Sequence, residues 1–104
     1  MKVSEGTGVI FKQIEISPRA AEELLKENTK RIHTGKVKWL IQLIRGKRRG
    51  IRRGIIVFDK EGSLQDGQHL LTAIHDCGFT VKQKVEFGSI EAKNRILTLI
   101  KKAR

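Results

Sequence analysis

The alternation of hydrophobic and polar residues predicts three strands. The stretches VIFKQIEI (9–16) and VKQKVEF (81–87) are rich in β-branched and aromatic side chains and alternate, in part or fully, between apolar and polar positions. This pattern is typical of strands with one face in water. The run IIVF (55–58) is fully apolar and suits a short central strand, and the DKEGSL that follows it predicts a turn.

Apolar residues at helical spacing, together with capping residues, predict four helices. Ser17 and Ser89 suit N-caps, Pro18 suits a first helical position, and Gly78 suits a C-terminal cap. Ile90 begins the apolar face of the last helix. The predicted ranges are about 17–28, 34–46, 67–76 and 89–102.

The predicted order is strand, helix, helix, strand, helix, strand, helix. This order indicates an α+β (α/β-like) fold with a small mixed sheet and about four helices. The 104 residues are enough for one modest core and too few for two, so we expect a single domain over residues 1–104.

The charge balance points to a polyanionic partner. Lys and Arg number 22 against 11 Asp and Glu, a formal net charge of +11. A charge that serves only solubility is the alternative. Cys77 is the only cysteine, which fits a reducing cytoplasm, and we expect no membrane span and no signal peptide.

Two groups of cations are candidates for nucleic-acid binding. Residues 45–54 (RGKRRGIRRG), here called the basic segment, place six cations within nine residues among glycines, and we expect an exposed loop or hairpin. A solvated charge run is the alternative. Trp39 could pack in the core, and one tryptophan is too little to indicate base stacking. The candidate cations are Arg45, Lys47, Arg48, Arg49, Arg52 and Arg53 in the segment and Lys101, Lys102 and Arg104 at the C-terminus.

A second candidate site is the run Asp66-Gly67-Gln68-His69, which begins the third predicted helix. A helix N-terminus offers free backbone N–H groups and a partial positive charge, so this run could bind phosphate. Asp66, His69 and Asp76 are expected on one helical side, where the histidine could act as a base. A structural or merely polar His69 is the alternative, and we predict no metal site. His33 and His75 are expected to stand alone on the surface.

The order of elements and the stretches SPRAAEELLKENTKR and GIIVFDKEGSLQDGQHLLTAI resemble the ParB/sulfiredoxin superfamily. More narrowly, they are similar to small phage and bacterial ParB-like proteins with an aspartate-glycine-glutamine-histidine-arginine run. The resemblance covers roughly residues 14–88. It implies a phosphate or nucleotide site at residues 66–70, where the partition proteins hold CTP with arginines and sulfiredoxin holds ATP.

This chain departs from that pattern at Leu70, which stands where the family has arginine. The guanidinium that would bind phosphate oxygens with two parallel hydrogen bonds is absent. We therefore expect a weakened or lost nucleotide pocket and no cofactor. Cys77 lies at the closing end of its helix, so peroxiredoxin repair of the sulfiredoxin type is not expected.

Three functions are compatible with these patterns. The first is a phage or mobile-element protein on a degenerate ParB-like domain that binds the phosphate backbone of DNA or RNA, or that docks on a host defence nucleoprotein complex. The second is a ParB-like nuclease or nucleotide hydrolase that uses Asp66, Gln68 and His69. The third is a protein-interaction module, such as a homodimer formed through the apolar helices. The residues favour a protein that is not an enzyme.

Overall fold

The computed structural model describes residues 9–26, 28, 30–47, 51 and 54–103. Within these ranges the chain forms four helices and a four-stranded mixed sheet, which confirms the predicted α+β fold. None of the described helices is both long enough and apolar enough to cross a membrane. The elements are β1 (Ile10–Ile16), α1 (Pro18–Leu25), α2 (Thr34–Lys47), β2 (Ile56–Phe58), β3 (Leu64–Asp66), α3 (Gln68–Cys77), β4 (Val81–Phe87) and α4 (Ile90–Lys102).

The strands lie in the order β1-β4-β2-β3. β1 pairs antiparallel with β4, from Ile10 opposite Phe87 to Ile16 opposite Val81. β2 runs parallel to β4, and β3 returns antiparallel to β2 with an irregularity in the pairing between Val57 and Phe58. This hairpin places the end of β3, and with it the start of α3, beside the centre of the sheet.

One face of the sheet forms the core and the other is exposed. Along β4, Val81, Gln83, Val85 and Phe87 are buried, whereas the intervening lysines are exposed. In β1, Ile14 and Ile16 are likewise buried. The helices cover this face: α3 packs against α1 and α2, and α4 packs against α1, β1 and β4. Apolar burial here, at roughly 25 cal/mol per Å², is the main stabilising term.

The predicted helix caps at Ser17, Gly78 and Ser89 are confirmed. The first helix ends at Leu25 and not near residue 28, because the Lys26 N–H donates a hydrogen bond to the Glu23 carbonyl and closes the last turn. The Ser17 hydroxyl accepts a hydrogen bond from the Ala20 N–H at 3.0 Å, and the Ser89 hydroxyl accepts one from the Ala92 N–H at 3.0 Å. Gly78 ends α3 with a positive φ of 79°. The two serine hydroxyls pair with backbone N–H groups that a helix start otherwise leaves unpaired. Gly78 adopts the left-handed conformation in which helices commonly end.

Three further expectations were wrong. Arg45 and Lys47 belong to the last turn of α2, because the helical hydrogen bonding continues past Gly46. Ile90 is exposed at the first position of α4, before the helix meets the core. The stretch predicted only as a turn leads into the additional strand β3, because Asp59 accepts hydrogen bonds from the N–H groups of Glu61 and Ser63 and so turns the chain back onto β2.

Candidate nucleic-acid interface

The start of α3 lies at the base of an open groove of about 250 Å³. The groove is formed where β3 passes into α3, and its other wall comes from α2 and from the chain just before β2. Its lining includes both polar and apolar side chains. Its lining residues are Lys36, Leu40, Ile51, Gly54, Ile55, Asp66, Gly67, His69 and Leu70.

Gly67 is required at this point by packing. Its φ is +101°, in the left-handed region that favours glycine. A Cβ built on Gly67 would lie 2.9 Å from the Cα of Ile56, closer than carbon atoms approach without displacement. The absence of a side chain therefore lets α3 begin directly against β2, which explains this glycine without a ligand.

The polar residues of the predicted cluster do not converge on one point. The Asp66 carboxylate accepts a hydrogen bond from the neighbouring Gly67 N–H at 2.8 Å, and it lines the groove. Gln68 is only 3% exposed and does not line the groove, and its Nε2 has no hydrogen-bond partner among the described residues. Asp76 pairs with Nδ1 of His75 at 2.8 Å and does not join His69. Asp76 therefore does not form a site with His69, whereas Asp66 and His69 both line the groove.

His69 instead pairs with His33. The two imidazole rings stack with centroids 5.5 Å apart and an angle of 4° between their planes. The backbone N–H of His33 donates a hydrogen bond to Nε2 of His69 at 3.0 Å, so the neutral His69 ring carries its proton on Nδ1. The expectation that His33 and His75 stand alone was wrong, since the partner of His33 lies 36 residues away along the chain and His75 pairs with Asp76.

The pKa of His69 is lowered, first by partial burial and then by the charges of Lys36 and His33, which outweigh the opposing effect of Asp66. A protonated ring would also lose the hydrogen bond from His33, because Nε2 would no longer be an acceptor. The geometry and the pKa therefore agree on a neutral His69 at neutral pH.

Acidification should reduce the free energy of unfolding more in the native protein than in the variant His69→Gln. Because the pKa of His69 is lower in the folded state than in the unfolded chain, the unfolded chain takes up this proton first. The stabilisation from neutral His69 is present above about pH 6.5, the unfolded value, and is lost as the pH falls through the lower folded value. Urea unfolding at about pH 8 and pH 5.5 measures this loss; equal pH dependence in the two proteins would contradict it.

Leu70 fills the space beneath the end of the basic segment. It is buried, and its Cδ2 would lie 3.0 Å from a Cβ built on Gly54. A side chain in this position contributes to the apolar core and offers no hydrogen bond to an anion in the groove. The groove therefore has leucine where the resemblance implies a phosphate-binding arginine.

Gln83 anchors the basic segment to the sheet. It is 1% exposed in the middle of β4. Its Oε1 accepts from the Ile51 N–H at 2.8 Å, and its Nε2 donates to the carbonyl oxygens of Ile51 at 2.9 Å and Gly54 at 2.7 Å. The Gly54 N–H also donates to the Ile51 carbonyl at 3.0 Å. One buried amide thus fixes the two residues that flank Arg52 and Arg53 in the sequence.

The alternation along residues 81–87 predicts an inward position for Gln83, but it does not reveal the hydrogen bonds to Ile51 and Gly54. The available signal was a long amide at an inward position between Val81 and Val85. A buried amide requires hydrogen-bond partners, and the strand ladder does not supply them to a side chain. The partners come from residues about thirty positions away, which no local pattern reveals.

The predicted binding cations that the structure describes lie at the ends of two different helices. Arg45 and Lys47 lie exposed in the last turn of α2, and Lys101 and Lys102 lie exposed in the last turn of α4. α2 packs mainly on α3, whereas α4 packs on α1, β1 and β4, so packing does not bring these ends together. The remaining predicted cations lie outside the described residues: Arg48, Arg49, Arg52, Arg53 and Arg104.

In the part of the chain that the structure describes, no group of three or more His, Cys, Asp or Glu side chains is arranged to hold a metal ion. Cys77 is buried at the end of α3, and its thiol donates a hydrogen bond to the carbonyl oxygen of Ile74 in the same helix at 3.3 Å. Its surroundings are those of a small core residue.

No protein-family model matches this chain, and neither curated proteins nor solved structures match it significantly. The resemblance to the ParB/sulfiredoxin superfamily therefore stays a prediction.

Proposed function

We propose that this protein binds the phosphate backbone of nucleic acid through its basic segment and the adjoining surface of α2. The observation that carries the proposal is the anchoring of Ile51 and Gly54 by Gln83. A charge run that served only solubility would need no buried amide to hold Ile51 and Gly54 in place. Holding these two residues in place lowers the conformational entropy that the segment loses when its cations bind phosphates.

The charge near the segment supports the same proposal. α2 carries four exposed cations and no acidic residue; Arg45 and Lys47 in its last turn begin the segment, and Lys36 and Lys38 precede it. Lys36 from α2 lines the groove together with Ile51 and Gly54, so the cations extend from the segment onto the helix. Clustered like charges repel one another, and a polyanion relieves this repulsion and releases its own counterions.

The biological setting is a second part of the proposal. The Asp66–His69 run at the start of a helix, with leucine at position 70, is what a degenerate ParB-like domain of phage or mobile-element origin would have. Such a protein could act on nucleic acid directly or on a host defence nucleoprotein complex, using the same cations. The hydrolase alternative has less support, because the Gln68 side chain is buried and Asp66 is hydrogen-bonded to its own helix start.

The test is fluorescence anisotropy of labelled single-stranded DNA, duplex DNA and RNA at about 0.1 M salt. The proposal predicts binding of at least one of them with a dissociation constant of about 1–100 µM, the range of backbone-directed binding. Failure to bind all three at about 50 mM salt would contradict the proposal, since weaker screening favours phosphate contacts.

A further inference from the structure

The outward face of α2 is built around an exposed tryptophan. The sequence was compatible with Trp39 packing in the core, but its side chain is 57% exposed. The buried face of the helix consists of Val37, Leu40 and Ile44. At 3.6 residues per turn, position 39 points away from that face. The indole is therefore presented to solvent by the geometry of the helix.

Cations lie on both sides of Trp39. By helical spacing, Lys38 and Arg45 follow one edge of the outward face, and Lys36 and Lys47 follow the other. All four side chains are exposed, and the helix contains no Asp or Glu. A chain of phosphates passing along this face would meet positive charge on either side of the indole.

Glycines leave part of the surface around Trp39 open. Gly35 precedes it by one turn and Gly46 follows by two, and a Cβ built on either glycine would meet no described residue within 4 Å. Gly35, four residues before Trp39, leaves one side of the indole without a neighbouring side chain, whereas Gln42 and Leu43 lie on the other side.

We propose that this face of α2 binds single-stranded nucleic acid, with an unpaired base stacked on Trp39 and the flanking phosphates held by the four cations. The inference rests on the proposed function and specifies its ligand. Bases in a single strand expose their faces for stacking on aromatic side chains, whereas in a duplex they are stacked on one another. A membrane surface would suit a broad apolar face, but Leu43 is the one apolar side chain among the helical neighbours of Trp39, which otherwise are Gly35, Lys36 and Gln42.

Trp39 is the only tryptophan in the chain, so its fluorescence reports this site alone. Single-stranded oligothymidylate should quench the emission, and a duplex of equal length should quench it much less. Trp39→Ala should weaken single-strand binding about 5- to 100-fold, leave duplex binding nearly unchanged, and keep the salt dependence. Trp39→Phe should restore part of the loss. Phe11→Ala is the matched control, since Phe11 is 53% exposed on β1.

The outcomes separate this inference from the proposed function. Salt-sensitive binding without quenching, and with equal affinity in Trp39→Ala, would overturn the stacking site and leave backbone binding in place. Equal weakening of single-strand and duplex binding in Trp39→Ala would also overturn it. So would an emission change with anionic phosphatidylserine vesicles but none with oligothymidylate. Absence of binding to any nucleic acid would overturn both proposals.

Discussion

Replacing the four arginines of the basic segment with serine should weaken nucleic-acid binding by about a hundredfold or more at 0.1 M salt. Each phosphate contact that is lost removes one counterion-release contribution, so the slope of log affinity against log salt should become shallower by about 3 to 4. Anisotropy of labelled DNA or RNA across a salt series measures both effects. The variant carries serine in place of Arg48, Arg49, Arg52 and Arg53.

A control with the same net charge separates local contacts from overall attraction. Four exposed cations from other parts of the fold can be replaced with serine, which lowers the net charge by the same amount. This control should lose less than about tenfold in affinity, because long-range attraction is screened beyond about 10 Å at 0.1 M salt. Equal losses in the two variants would contradict a binding role for the segment. The control positions are Lys12, Arg19, Lys60 and Lys82.

Gln83→Met should lower the free energy of unfolding by about 2–4 kcal/mol, because it leaves the Ile51 N–H and the Gly54 carbonyl without their partner and the Ile51 carbonyl with only the Gly54 N–H. Methionine has nearly the same shape and leaves no large cavity, so the loss measures the hydrogen bonds to Ile51 and Gly54. In a domain of this size the melting temperature should fall by about 10–25 °C. Thermal unfolding followed by circular dichroism measures it.

The matched control is Gln13→Met, the same exchange at an exposed position of β1. It should change the free energy of unfolding by less than about 0.5 kcal/mol. If Gln83→Met were as stable as this control, the amide would not be an anchor. In the folded fraction of Gln83→Met, we also expect weaker nucleic-acid binding, because Gln83 no longer holds Ile51 and Gly54 of the basic segment in place.

The main elements of this fold could be predicted from local chemistry. Ser17, Pro18, Gly78 and Ser89 mark helix ends through their own hydrogen bonds or backbone preferences, and these act over a few residues. β3 could not be predicted in this way. It has only three residues, and its strand conformation depends on pairing with β2 after the turn at Asp59.

The candidate interface was harder to predict, because its arrangement depends on contacts between residues that are distant in the sequence. The role of Gln83 requires Ile51 and Gly54, and the environment of His69 requires His33, so neither could be read from a motif. The position of Trp39 is a different case. The apolar residues of α2 already define a buried stripe, and helical spacing alone places the indole outside it.

Gly67 shows how one residue can support two interpretations. At the sequence level a glycine before a helix suggests close approach of an anion. In the structure its left-handed φ and its contact with Ile56 are sufficient to require glycine. Such a residue supports the fold and gives no independent support for a phosphate site.

The central claim is tested most directly by the salt dependence of binding in the native protein. The affinity for single-stranded and duplex DNA of equal length would be measured from about 50 to 300 mM salt. If the six cations of residues 45–53 contact phosphates, the plot of log affinity against log salt should have a slope of about −4 for single-stranded DNA and about −5.5 for duplex DNA. A slope shallower than about −1, or no binding at the lowest salt, would show that this surface does not bind a phosphate backbone.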